Sequence, residues 1–308
     1  MSRPTRLFLP FSAPFFFVFA LTATAQSSAV PPQSTPSAGS PAAQPASPSA
    51  YYVALGSSIA AGPGIASRVP GSPAFCERST ANYPHLLAAK HAWSLADVTC
   101  SGATTAGILT GQGNLPPQVN AVGSQTKLVT ISIGGNDVHL AGNLFAQSCA
   151  NAPDKIPPAW KPWVCTLTPR DKIDAAFAGL EGQLRAIVDA IHQRAPKAHI
   201  VFVDYIQLLP STGSCPDRLP LTGAELEQAR ADETRLAAIT AKVSRQTGSS
   251  LLKASEISAN HDVCATDSWV FPLEFPPHLL EFAPIAYHPT EAAMRAIADA
   301  LDQITAPQ

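Results

Sequence analysis

The chain has 308 residues, 46% of them hydrophobic and 14% charged, with 20 basic against 22 acidic side chains and a formal net charge of −2. That length holds one large domain or two small ones. The composition excludes a nucleic-acid partner, because no basic stripe with interleaved aromatic residues is present, and it gives no reason for strong attraction to anionic membranes.

Residues 1–25 read as an export signal. Arg3 and Arg6 form a short basic start, the stretch from Leu7 to Leu21 is mostly apolar, and Ala23-Thr24-Ala25 supplies small residues for cleavage. Pro10 and Pro14 interrupt the apolar stretch, which falls short of the roughly 20 residues a spanning helix needs. The processed protein is therefore expected to have no membrane span and to work outside the cytoplasm, secreted or periplasmic. Residues 26–50 carry no charge and consist almost wholly of Gln, Ser, Ala, Pro, Val, Thr and Gly. Such a segment buries too little apolar surface to offset its ordering entropy and is expected to be a disordered spacer. Residues 51–308 are left as one folded domain, expected to act as a monomer.

Tyr51 to Leu55 is a short apolar run ended by Gly56 and predicts a first strand. Ser57 and Ser58 follow where the strand should turn sharply into a helix, crowded by Gly56, Ala60, Ala61 and Gly62 as a tight turn requires. A serine at a helix start lies near the positive end of the dipole, which favours developing negative charge. Ser57 reads as the helix cap and Ser58 as a nucleophile. No Gly-x-Ser-x-Gly occurs in the chain, which removes the α/β-hydrolase elbow. Asp97 to Cys100 is a second candidate strand, followed by Ser101-Gly102-Ala103-Thr104-Thr105, where the Gly102 amide can donate to an oxyanion. Leu128 to Ile133, rich in β-branched residues, is the third strand. It stops at Gly134-Gly135-Asn136-Asp137, whose glycines permit backbone geometry other residues resist and whose asparagine can aim its amide into a cleft. Glycine and asparagine also dominate ordinary turns, so this segment alone decides nothing.

Ile173, Phe177, Leu180, Leu184, Ile187, Val188 and Ile191 fall three or four apart and predict an amphipathic helix, with Pro196 just beyond its end. His199 to Tyr205 is a fourth strand and Ser250 to Lys253 a weaker fifth. Between them a second helix covers Gly223 to Gln246, capped by Thr222 and closed by Gly248. A last helix opens around Pro289-Thr290 and runs to about Ile304. Near-continuous apolar strands alternating with helices argue for an α/β fold with a parallel sheet buried on both faces, whose ligands bind beyond the carboxyl ends of the strands.

His288 stands just before that last helix, with Pro289 fixing the chain behind it. Nucleophile, oxyanion donor and base are the minimum set for acyl transfer, so the chain reads as a secreted serine esterase. Six cysteines in an exported chain imply an oxidised framework with fifteen possible connectivities. The nearest-neighbour solution, Cys76 to Cys100, Cys149 to Cys165 and Cys215 to Cys264, is the simplest. A metal site using His261 and Cys264 is the rival, but no CxxC pair is present. No metal or other cofactor is suggested.

On the blocks Val53 to Gly62, Gly102, Gly134 to Asn136 and Tyr287-His288-Pro289, the chain resembles the SGNH, or GDSL-type, serine hydrolases, and most of all secreted actinobacterial and fungal esterases and lipases. The likeness covers roughly residues 51 to 304, cysteine pattern included. It implies a three-layer α/β/α, flavodoxin-like fold, three successive disulfides, Ser58 as nucleophile, Gly102 and Asn136 with the Ser58 amide as oxyanion donors, and His288 as base. It implies a small-molecule or lipid ester as substrate. The family's aspartate before the nucleophile is Ser57 here. Its usual aspartate three residues before the histidine is Ile285, whose main-chain carbonyl is the expected substitute, with Glu281, Asp262 or Glu291 as remote alternatives. A phospholipase, acyltransferase or carbohydrate deacetylase would use the same residues. From a different class, a catalytically idle secreted binding protein is the alternative.

Overall fold

The structure, a computed structural model, describes residues 50–276 and 282–305. The export signal and the Pro/Ser/Ala-rich spacer read from the sequence lie outside the described residues, and so does Glu281.

Five strands form one parallel sheet: β1 (Tyr52–Gly56), β2 (Leu95–Asp97), β3 (Leu128–Ser132), β4 (His199–Val203) and β5 (Ser250–Leu252), in the order β2-β1-β3-β4-β5. All five residues of β1 and all five of β3 are buried, as a sheet covered on both faces demands and as their near-continuous apolar sequences foretold. The short strands β2 and β5 stand at the edges and are only partly buried. β1 and β3 pair in register from Tyr52 opposite Leu128 to Gly56 opposite Ser132.

Nine helices lie between and after the strands among the described residues: α1 (Ser58–Ala61), α2 (Tyr83–His91), α3 (Thr105–Leu109), α4 (Leu140–Asn151), α5 (Lys161–Val164), α6 (Arg170–Arg194), α7 (Gly223–Thr247), α8 (Ala254–Ile257) and α9 (Glu291–Thr305). The path from β1 through α2 to β2 moves toward one edge, while α6 and α7 carry the chain from β3 to the other. Right-handed crossovers therefore put α2 on the opposite face from α6 and α7. The packing agrees: α6 touches α3 and α7, while α9 covers α2 and α8. The buried face of α6 comprises Ile173, Phe177, Leu180, Leu184, Ile187, Val188 and Ile191, the same seven residues that the 3.6-residue period selects. For α7 the Thr222 hydroxyl and the Glu225 side chain form a reciprocal capping box, and Gly248 closes the helix in the left-handed conformation at φ 68°.

One strand is misplaced by the sequence reading. Asp97 to Cys100 was the expected run, whereas β2 spans Leu95–Asp97. The Asp97 carboxylate accepts from the Thr99 amide at 3.0 Å and the Thr99 hydroxyl at 2.6 Å, bending the chain as aspartate does in turns. Val98 and Cys100 still donate to the Ala54 and Gly56 carbonyls, so the segment follows β1 without completing a ladder. The six cysteines pair in sequence order, Cys76–Cys100, Cys149–Cys165 and Cys215–Cys264.

In the order 2-1-3-4-5 the chain reverses direction across the sheet between β1 and β3. The crevice beyond their carboxyl ends is where ligands bind in such folds. Ser57-Ser58 and Gly134-Gly135-Asn136 are the residues that leave those two ends.

Candidate active site

The turn after β1 is held from two sides. Gln118 clasps Gly56, accepting from its amide at 2.8 Å and donating to its carbonyl at 3.0 Å, and the Ser57 amide donates to the Ser132 carbonyl at 3.0 Å. A side chain at Gly56 would put Cβ 2.6 Å from that same carbonyl oxygen, so the turn is open to glycine only. Ser57 occupies the cap position of α1, and its carbonyl receives the Ala60 and Ala61 amides. Its hydroxyl, expected to cap the helix, does not: it bonds the Tyr205 hydroxyl at 3.2 Å instead. Ser58 is thereby presented at the first turn of a short buried helix.

His288 reaches Ser58 from the far end of the chain. A bridge between Val270 and Pro289 fixes its backbone, with Phe271 donating to the His288 carbonyl. Its Nδ1–H donates to the Ala286 carbonyl at 2.8 Å, which leaves Nε2 to accept from the Ser58 hydroxyl, also at 2.8 Å. The orienting carbonyl thus belongs to Ala286, not to Ile285 as the sequence suggested. The cause is local: Tyr287 adopts a left-handed φ of 60°, which turns the preceding carbonyl back toward the ring. Asp262 is engaged with the Cys264 amide at 2.8 Å and Glu291 with Arg295. His288 is 4% exposed and Ser58 7%. Burial pushes the imidazole down to about 4, opposed by the Ala286 carbonyl, so the ring is neutral and its Nε2 free to accept across the neutral range.

The other two blocks are tied together. The Asn136 side-chain amide donates to the Ala103 carbonyl at 2.9 Å, and the Asp137 carboxylate accepts from the Thr105 amide and hydroxyl. Burial raises the Asp137 carboxyl, and the Thr105 bonds counter part of that. Gly135 donates its amide to the Tyr205 hydroxyl at 3.0 Å, and a Cβ there would lie 2.3 Å from the Tyr205 ring. One phenol therefore joins the turn after β1 to the turn after β3. Sequence reasoning missed both Tyr205 and Gln118. Tyr205 stands two residues past the end of β4, next to Asp204, and Gln118 opens a single 3-10 turn, with no motif around either.

Ser58, Gly102, Asn136 and His288 line one cleft of about 360 Å³. Its far wall is aromatic: Phe145, Trp160 and Phe275 pack together at centroid distances of 5.3–5.9 Å, and the Trp160 indole donates to the Pro276 carbonyl at 3.0 Å. Trp163 borders the same cleft and is 75% exposed. Chemically the set offers a hydroxyl, a neutral base on it, and amide donors beside it, which is the equipment of acyl transfer.

The model of the GDSL-like lipase/acylhydrolase family matches residues 54–296. The chain belongs to this family. It is a carboxylic ester hydrolase. Among the relatives of this acylhydrolase, Lipase 2 of Streptomyces coelicolor is 32% identical over 266 residues, covering 82% of this chain and 85% of that one. The structure of the extracellular lipase from Streptomyces rimosus superposes with a TM-score of 0.66 at 30% identity, over 82% of this chain and 99% of the other. Phospholipase A1 from Streptomyces albidoflavus NA297 does so with a TM-score of 0.63 at 26% identity, over 82% and 98%. Among the described residues of the acylhydrolase, no helix is long and apolar enough to cross a membrane.

Proposed function

We propose that Ser58 is the nucleophile and His288 the general base of a two-residue site that hydrolyses esters with an apolar acyl or aryl group. The reading is carried by the 2.8 Å bond between the Ser58 hydroxyl and His288 Nε2. His288 takes the hydroxyl proton as Ser58 Oγ bonds to the ester carbonyl carbon. The oxyanion is held by the amides of Ser58 and Gly102 and by the Asn136 side chain. The imidazolium returns the proton to the departing alcohol, and water then cleaves the acyl-enzyme by the same steps in reverse order. The Ala286 carbonyl stands where such sites commonly hold a carboxylate: it fixes the tautomer, and its dipole stabilises the imidazolium. The aromatic wall and the exposed Trp163 support an apolar substrate portion.

The extracellular lipase from Streptomyces rimosus and the basic, apolar and small-residue order of residues 1–25 support export, with cleavage after Ala25 and residues 26–50 as a spacer. Protein collected from the medium should begin at or near Gln26 by N-terminal sequencing.

The site is tested with p-nitrophenyl esters of graded chain length. Ser58→Ala and His288→Ala should each abolish both turnover and labelling by a fluorophosphonate, with unchanged circular dichroism. Full labelling of folded Ser58→Ala would assign the nucleophile elsewhere. Losing one oxyanion donor costs about 2.7–4 kcal/mol in the transition state, so Asn136→Ala should lower kcat roughly 10²–10³-fold. A near-normal kcat would remove Asn136 from the oxyanion site.

A further inference from the structure

Beside the Ser58 cleft lies a second hollow of about 180 Å³, and the two share His139 and Thr168 in their linings. The ridge between them is a built feature. Asn143 clasps Thr168 from both sides, its amide donating to the Thr168 carbonyl at 3.2 Å and its oxygen accepting the Thr168 amide at 2.9 Å. His139 stands on the ridge, exposed, in a left-handed backbone at φ 54°. A non-glycine residue held there is a strain kept at functional sites more than elsewhere.

The hollow's walls are chiefly apolar, from Leu140 and Leu144 of α4, Ile173 of α6, Ala229 of α7 and Leu167 at the mouth. The charges present are already matched. Arg170 makes two bonds of 2.7 and 2.8 Å to Asp232 and a further pair to Asp174, and Gln228 donates to Asp232. The Asn143 amide is spent on Thr168. An anionic headgroup would have to break the Arg170–Asp232 pair to be recognised. A hydrocarbon chain needs no such exchange: it takes its own surface and that of the half-exposed Leu167 out of water, against a floor formed by the buried Leu144 and Ile173.

We infer that this hollow is a second chain subsite, taking one hydrocarbon chain of a two-chain ester whose other chain and scissile carbonyl occupy the Ser58 cleft. The inference rests on ester hydrolysis at Ser58 and adds the substrate class: diacyl over monoacyl esters. The two chains straddle the His139–Thr168 ridge, which sets the distance between them.

The test compares dihexanoylglycerol with monohexanoylglycerol, both below aggregation, in the wild type, Leu167→Asp and Ala229→Leu. Neither position lines the Ser58 cleft. Leu167→Asp puts a charge at the mouth, and because Leu167 is 55% exposed the fold tolerates it even where the filling substitution on α7 does not. The wild type should favour the diacyl substrate in kcat/KM. Each variant should lower kcat/KM about tenfold for the diacyl ester and less than twofold for the monoacyl ester. Tenfold corresponds to about 1.4 kcal/mol, less than the burial of two methylene groups supplies. Equal losses on both substrates, or no loss on the diacyl ester in Leu167→Asp, would overturn the subsite while leaving the Ser58 reading intact. Absence of wild-type turnover on p-nitrophenyl butyrate would instead strike that underlying reading and the subsite with it.

Discussion

His288 has a main-chain carbonyl where a carboxylate would hold a full negative charge, and the consequence is electrostatic. A carboxylate at that distance raises an imidazole; a carbonyl dipole raises it far less, so burial dominates and the ring sits at about 4, below the usual 6.5. The base is active only when neutral. Activity should therefore persist well below the ordinary histidine range, with the acid limb of kcat/KM at about pH 4 for a neutral ester. A limb at pH 6 to 7 would mean that solvent or an anion reaches the ring. The Ser57–Tyr205 contact makes a different demand. Tyr205→Phe removes the acceptor of the buried Gly135 amide, which costs about 1–3 kcal/mol of stability, and it also frees the Ser57 hydroxyl. Because displacements of about 1 Å in a reacting group can cost 10²-fold, kcat should fall about tenfold with KM little changed. Active-site titration separates this from simple loss of folded protein. A kcat per titrated site equal to wild type would make Tyr205 a structural residue only.

Whether an element was legible in the sequence depended on what fixes it. The face of α6 and both ends of α7 are set by local pattern and capping chemistry, and the structure has them where period and cap residues put them. β2 was placed a few residues late because its limit is set by the Asp97 side chain bonding Thr99 two residues on, a local turn that the apolar pattern of a strand does not register. The turns bearing Ser58 and Asn136 were visible through their glycines. The residues that hold those turns, Gln118 and Tyr205, act across 62 and 70 positions of chain and leave no local trace. The Ala286 carbonyl was hidden for another reason: every residue has one, and only the φ of Tyr287 aims it. The α7 cap gives a direct measurement. Thr222→Ala removes the hydroxyl half of a capping box, so it should cost about 0.5–2 kcal/mol in urea unfolding while leaving kcat on short esters unchanged. A cost near zero would mean the Glu225 half and the packing of α7 suffice.

Across the whole molecule two groups with opposed titrations bracket the range in which the fold is most stable. Glu233 of α7 accepts the Leu208 amide at 2.6 Å where the segments after β4 and β5 meet, and Val263 donates to the Leu208 carbonyl there. Desolvation, with a smaller push from Asp262 and against the pull of Leu208, Leu209 and Arg230, raises its carboxyl to about 8. Between about 4.5 and 8 the folded protein keeps a proton that the unfolded chain gives up, so this contribution is full at low pH and is lost as pH rises. His288 runs the other way. Its folded value of about 4 lies below the unfolded 6.5, so the unfolded chain binds the extra proton and stability is lost as pH falls from 6.5 toward 4. From about 4.5 to 6.5 the two slopes oppose each other, and above 6.5 only the Glu233 loss remains. The melting temperature should be flattest between these values and decline toward pH 8, as the unfolding free energy falls by at most about 1.4 kcal/mol per pH unit from one proton. Glu233→Gln keeps an acceptor for Leu208 but cannot ionise, so its stability should hold level from pH 6.5 to 8. A variant that declines as steeply as the wild type would place the alkaline loss on another group. Activity follows His288 alone and stays full through the same interval, so the decline of Tm toward pH 8 should come with no decline in kcat/KM.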